Sequence, residues 1–119
     1  MRAASTLVLT YTLVLTVSLF SALAWSIDPA LAGDLAAGRA KVNALCQICH
    51  GEDGRATLPG AANLSGQQKE YLVAQLRAFR SGSRHNDQMT FVAKPLSDAD
   101  IDNVAEWYSS IKVTVEMPQ

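Results

Sequence analysis

The chain has 119 residues and a formal net charge of −1 at pH 7. That is room for one small domain, and the near-neutral balance gives no case for nucleic acid, which calls for a basic surface. With 2 Cys and 2 His in all, the chain is also a poor match to a structural zinc site, which normally needs four protein ligands.

The first third is unlike the rest. Arg2 is followed by an uncharged apolar run, Leu7 to Ala24, and then by Pro29 and Ala30-Leu31-Ala32. A short basic start, an apolar stretch and small residues at the −3 and −1 positions of a cleavage site make a secretory signal. Cleavage is expected after Ala32, with Ala22-Leu23-Ala24 as a second site. The run, about 18 residues, is long enough to be a candidate membrane span. Thr10, Thr12, Thr16, Ser18 and Ser21 dilute it, which favours removal over an uncleaved anchor. Removal takes away one basic residue, Arg2, and one acidic residue, Asp28, so the net charge stays at −1. The expected product, Gly33 to Gln119, is an exported, periplasmic domain whose own side chains bury only a marginal core.

Asp34 to about Cys46 reads as a helix. Asp34 is a plausible N-cap, and Leu35, Ala36, Ala40, Val42 and Leu45 are helix formers or core candidates. Gly38 is costly there, by about 1 kcal/mol relative to Ala, and marks either a close helix crossing or a tolerated defect.

Next comes Cys46-Gln47-Ile48-Cys49-His50. The pattern Cys-x-x-Cys-His is the attachment signature of a c-type haem. Two thiols three positions apart can each bond one vinyl arm of the same haem, and His50 then lies under the ring, where an imidazole nitrogen can bind iron. A disulfide, a thioredoxin-like pair or half a zinc site would account for the cysteines but not for the adjoining His50. A thioredoxin-like pair should also sit beside a βαβ pattern, and none is visible.

From Gly51 to Gly66 periodicity disappears, and the glycines with Pro59 make a loop. A loop of that length is uncommon unless functional or disordered; wrapping a haem face would explain it. Ser65-Gly66-Gln67-Gln68 has the form of a capping box, with Ser65 as N-cap. The helix it would open runs to about Ser81, with Gly82 at the C′ position. Leu72, Leu76 and Phe79 give that helix one apolar face. Ser83 to Leu96 reads as a second loop, holding His85, Met89 and Pro95. Ser97 caps the last helix, with Asp98 and Asp100 in its first turn, where the dipole favours negative charge. Ile101, Val104, Ala105, Tyr108 and Ile111 form its buried stripe, with Trp107 at the edge. Val113 to Gln119 reads as a frayed tail. The expected fold class is all-α, with three main helices and two haem-covering loops.

The sixth iron position decides between an electron carrier and an open, ligand-binding site. Met89, His85 and Met117 are the candidates. The plainer reading of Met89 is a gap-filler in the core; its place in a polar loop between two haem-flanking helices favours a ligand. His85 has polar and charged neighbours, and Met117 lies in the tail.

With these residues in view, the chain resembles the class I c-type cytochromes of bacteria, in particular small single-haem periplasmic proteins and the half-domains of dihaem cytochromes of the "four" type. The resemblance covers nearly all of Gly33 to Ile111. It rests on Gly38, the Cys46–His50 motif, Asn63-Leu64-Ser65-Gly66-Gln67, Tyr71-Leu72, Gln75-Leu76, Phe79, Gly82, Met89 and Leu96-Ser97-Asp98. It implies that Cys46 and Cys49 hold one covalent haem c and that His50 and Met89 are its axial ligands. It also implies that Gly38 marks a crossing of the first helix with the last near Val104 to Tyr108, where Trp107 or Tyr108 packs. The family usually has Pro before the Asn-Leu pair, its carbonyl accepting from the proximal His. Here the position is Ala62, which keeps the carbonyl but does not fix φ.

The function expected is one-electron transfer between a reductase and an oxidase, in a respiratory chain, and not enzymatic catalysis. Partners would dock briefly through a small interface, with Arg77, Arg80 and Arg84 facing an acidic partner and Asp98, Asp100, Asp102 and Glu106 forming the opposite pole. The alternatives are an open-iron haem enzyme or sensor, with His85 as its distal group, and a membrane-anchored haem subunit of a respiratory complex.

Overall fold

The computed structural model describes residues 33–119; the signal expected over 1–32 lies outside them. Asp34 opens the first helix as expected, its Oδ1 accepting from the amides of Ala36 and Ala37 at 2.8 and 3.1 Å. Helix α1 spans Leu35–Lys41 and runs through a π-helical turn, Val42–Cys46, into α2, Gln47–His50. The sequence pattern had suggested one plain helix ending near Cys46. The chain instead stays helical to His50, with one wide turn just before the cysteines. Single π turns inside α-helices frequently mark functional positions.

Helix α3 spans Lys69–Ser81, α4 spans Asp87–Ala93 and α5 spans Asp98–Ser110. There are no strands among the described residues. Ser65 is not the cap of α3. Its hydroxyl donates to the Asp53 carbonyl, and Gly66, at φ 64°, gives its amide to the Tyr108 carbonyl. The chain is thus tied to the far end of α5 and cannot turn into helix until Gln68, the actual N-cap. Gly82 closes α3 in the left-handed conformation, as its sequence position suggested.

Helix α4 corrects the expected second loop. Asn86 caps it, with Oδ1 accepting from Met89 N at 3.0 Å, and Asn86 N donates to Thr90 Oγ1 at 3.2 Å. Ser97 caps α5 in a reciprocal box with Asp100.

Helix α5 is the spine. Ile101, Val104, Ala105 and Tyr108 are buried along it, and the period of about 3.6 residues puts them on one stripe. Val42 from the π turn and Leu72 from α3 join Val104, Ala105 and Tyr108 in one cluster. Phe79, Ala93, Leu96 and Ile101 form a second. Leu35 and Leu45, read as core candidates, are 46% and 41% exposed instead. Lys41 reaches Asp100 at 2.9 Å and Lys69 reaches Glu106 at 2.6 Å, tying α5 to the helices on either side.

Candidate functional site: the cysteine–histidine stretch and its supports

Cys46 ends the wide turn, and Cys49 and His50 lie on α2. Both cysteines are unpaired and half-buried. Burial pushes the Cys46 thiol up to about 11, with Lys41 pulling the other way. Disulfide-exchange cysteines are favoured by the opposite, a depressed thiol.

His50 is buried. Its Nδ1 lies 2.7 Å from the Ala62 carbonyl oxygen. A carbonyl only accepts, so Nδ1 carries the proton and Nε2 keeps the lone pair. Nε2 has no hydrogen-bond partner among the described residues. No buried side-chain nitrogen or oxygen there lacks one, so Nε2 is not fully enclosed by the described residues. This is the arrangement of a metal-binding imidazole, with one nitrogen anchored and the other presented. The Ala62 carbonyl therefore sits where the resemblance placed it, without proline.

The loop that delivers Ala62 is stitched down along its length. Thr57 donates through Oγ1 to the Ile48 carbonyl at 2.6 Å and through its amide to the Cys49 carbonyl at 2.9 Å. Asn63 Oδ1 accepts from Ala56 N at 2.8 Å, and Leu64 N donates to the Gly54 carbonyl at 2.7 Å. Two aromatic residues of α5 hold its beginning. Tyr108 Oη donates to the Gly51 carbonyl at 2.9 Å, and Trp107 Nε1 to the Glu52 carbonyl at 2.8 Å. The sequence reading gave these two residues packing roles only. The missed signal was that a buried Tyr or Trp needs a partner for its O–H or N–H.

Met89 is in α4, half-buried against the cluster of Phe79, Ala93, Leu96 and Ile101. Cys46 packs against the other cluster, and Val73 and Leu76 of α3 touch both. Cys46 and Met89 thus flank one shared apolar wall. His85 is 74% exposed at its side chain, 3.6 Å from Asp87. Met117 is 79% exposed. An open depression of about 990 Å³ is lined by Arg39, Gln47, Glu52, Arg55 and Trp107 among others. None of Cys46, Cys49, His50 and Met89 reaches it, so it is a separate surface feature.

The expected basic cluster does not stand free. Arg80 Nη2 is 2.6 Å from Asp98 Oδ1, its Nη1 donates to the Leu96 carbonyl at 2.9 Å, and Arg77 lies 3.7 Å from Asp98. Arg84 stacks 4.6 Å over the Phe79 ring. Asp98, Asp100 and Glu106 of the supposed acidic pole are likewise paired. Arg77 and Arg80 share the one Asp98 carboxylate, and Arg84 pairs with none among the described residues, so this face keeps a net positive charge.

The family model described as cytochrome c oxidase, cbb3-type, subunit III, matches residues 33–107. Cytochrome c-554(548) of Halomonas halodenitrificans is 44% identical over 82 residues, which cover 66% of this chain and 98% of that protein. The chain belongs to the class I c-type cytochromes. Cytochrome c4 of Pseudomonas aeruginosa is 41% identical over 86 residues, covering 72% of this chain and 42% of its own length. The reduced recombinant cytochrome c4 of Pseudomonas stutzeri superposes with a TM-score of 0.63 at 39% identity, over 71% of this chain and 48% of that one. This cytochrome therefore spans about half the length of the cytochromes c4 it matches, and resembles one half-domain of them. It is a c-type cytochrome domain, and haem c is its covalent cofactor.

The side chains present fit that cofactor. Two free thiols stand at the attachment spacing, and an imidazole presents Nε2. Large apolar side chains adjoin these residues in the chain yet stay exposed: Leu45 at 41%, Ile48 at 72%, and Phe91, two residues past Met89, at 82%. Among the described residues no helix is long and apolar enough to cross a membrane.

Proposed function

We propose that this cytochrome is an exported, periplasmic one-electron carrier, its haem held by thioethers from Cys46 and Cys49 and its iron by His50 and Met89. The observation that carries the reading is the buried His50 ring, with Nδ1 bonded to the Ala62 carbonyl at 2.7 Å and Nε2 left without a hydrogen-bond partner among the described residues. When bound, the haem supplies an iron that alternates between Fe(III) and Fe(II). His50 fixes one face of it, in one tautomer and one ring orientation. Met89 is the thioether with the best support for the other face, being half-buried on the apolar wall that Cys46 also flanks. Its polarizable sulfur favours the reduced state and raises the potential. Burial acts in the same direction, since the oxidised site carries one more charge in a poorly solvated place. The buried apolar side chains keep water from the centre, so little has to reorganise when an electron passes.

Export rests on the signal pattern over residues 1–32. Donor and acceptor proteins would dock over the exposed edge of the haem through a small, short-lived interface. The test is carbon monoxide. The reduced wild-type protein is expected not to bind it at neutral pH, because both axial positions are filled. Rapid binding would mean an open iron and would replace the carrier with a sensor or enzyme.

A membrane-anchored haem subunit is the second reading. The matching family model, which describes a subunit of an oxidase, is the observation in its favour.

A further inference from the structure

The carbonyl that orients His50 belongs to Ala62, a residue that leaves φ free, in a loop exposed at that point. The 2.7 Å contact therefore needs outside anchors to stay short. The first two carbonyls after His50 are held by α5. Tyr108 Oη binds the Gly51 carbonyl at 2.9 Å and Trp107 Nε1 binds the Glu52 carbonyl at 2.8 Å. Tyr108 is completely buried, so packing alone would have been served as well by Phe. Its hydroxyl is placed where the only other donor to the Gly51 carbonyl among the described residues, Gly54 N, is long at 3.3 Å. Gly51 itself is locked: its φ is 73°, and a β-carbon there would lie 2.5 Å from the Arg55 carbonyl oxygen. Position 51 thus admits only glycine, and α5 holds the first two carbonyls after His50.

We infer that the Tyr108 hydroxyl and the Trp107 indole are positioning residues for the axial imidazole. They hold the start of the loop so that the Ala62 carbonyl stays on His50 Nδ1, the task a proline would otherwise share. The inference rests on His50 being an iron ligand.

The readout is solvent exchange of the His50 Nδ1 proton in the reduced holoprotein, followed by NMR together with the midpoint potential. Tyr108→Phe should speed that exchange about tenfold, the factor carried by one typical hydrogen bond, and raise the potential, because a looser Nδ1–H bond makes the imidazole a poorer donor to the oxidised iron. Trp107→Phe should act in the same direction. In an Ala62→Pro background the effect of Tyr108→Phe should shrink to about twofold or less, because the two changes act on one loop and are not additive. Unchanged exchange in Tyr108→Phe and Trp107→Phe, with only thermal stability lowered, overturns the inference. Equal acceleration in both backgrounds also overturns it, since that is the behaviour of a general brace. Wild-type His50 signals lacking a haem ring-current shift contradict the ligand assignment itself. Shifted signals with exchange indifferent to Tyr108 contradict the positioning role alone.

Discussion

Gly38 of α1 lies against the backbone carbonyl of Asn103 on α5, with no room for a β-carbon between them. A β-carbon at that point would also come within 3.1 Å of Trp107 Cβ. Asn103 holds the same helix a second time, its Oδ1 accepting from Asp34 N at 2.7 Å. The two helices cross where one side chain is missing, and the crossing sets where Trp107 and Tyr108 stand relative to His50.

Gly38→Ala is therefore expected to destabilise the holoprotein. A backbone carbonyl cannot swing away as a flexible side chain would, and overpacking of this kind costs about 1–3 kcal/mol. Helix propensity works the other way by about 1 kcal/mol, so the net loss is at the lower end. Thermal unfolding should show a fall of several degrees, at about 4–8 °C per kcal/mol for a domain of this size. An unchanged or raised midpoint would mean that the crossing is looser than this geometry requires.

Asp100 gives the acid side of the stability profile. Its carboxylate meets Lys41 Nζ at 2.9 Å and accepts from Ser97 N and Oγ at 3.0 and 2.8 Å. Lys41 first, then Ser97, lowers its pKa to about 2, against about 3.9 for an unfolded Asp. A depressed folded-state pKa adds stability that is present above the unfolded value and lost as pH falls toward the folded one. Wild type should thus lose stability relative to Asp100→Asn between about pH 4 and pH 2. Urea unfolding of both proteins at several pH values measures the difference. A difference that stays flat across that window removes Asp100 from the account.

The core is thin without its cofactor. Among the described residues nine apolar side chains are buried, in two small clusters joined through Val73 and Leu76. Small domains have little stability to spare. Cys46→Ala combined with Cys49→Ala should leave a chain with reduced helicity and no cooperative thermal transition. A sharp, fully helical transition in that haem-free protein would show that the side chains suffice alone.

Processing is tested by intact mass. The protein recovered from the periplasmic fraction should weigh Gly33–Gln119 plus one haem. Full-length protein found only in detergent-solubilised membranes would instead support the anchored subunit.

Much of this arrangement could be read from residue types, because the strongest local signals were also the ones tertiary structure used. Asp34 and Ser97 cap helices because nothing else competes for their oxygens. Gly82 takes the left-handed position that only a residue without a β-carbon enters cheaply. Gly38 marked a crossing because a mid-helix glycine has to be compensated. The failures are places where a distant contact outbid a local one. Ser65 has the residues of a capping box, yet its hydroxyl goes to the Asp53 carbonyl and its neighbour Gly66 to Tyr108. Helix α4 has only seven residues, too few to reveal a period among polar neighbours, although Asn86 was a usable cap signal. The π turn before Cys46 has no local sequence signature. That Arg77 and Arg80 share Asp98 was not legible either, because that partner comes from another part of the chain.

Met89 carries the central claim, and the sulfur-to-iron charge-transfer band of the oxidised protein tests it most directly. Wild type should show this weak near-infrared band. Met89→Ala should abolish it, open the iron to added ligands and lower the potential, because the thioether favours Fe(II). The fold should survive, since the thioethers and His50 still hold the haem. His85→Ala and Met117→Ala should keep the band. A Met89→Ala protein that retains both the band and a closed iron would contradict the assignment and pass the ligand to Met117.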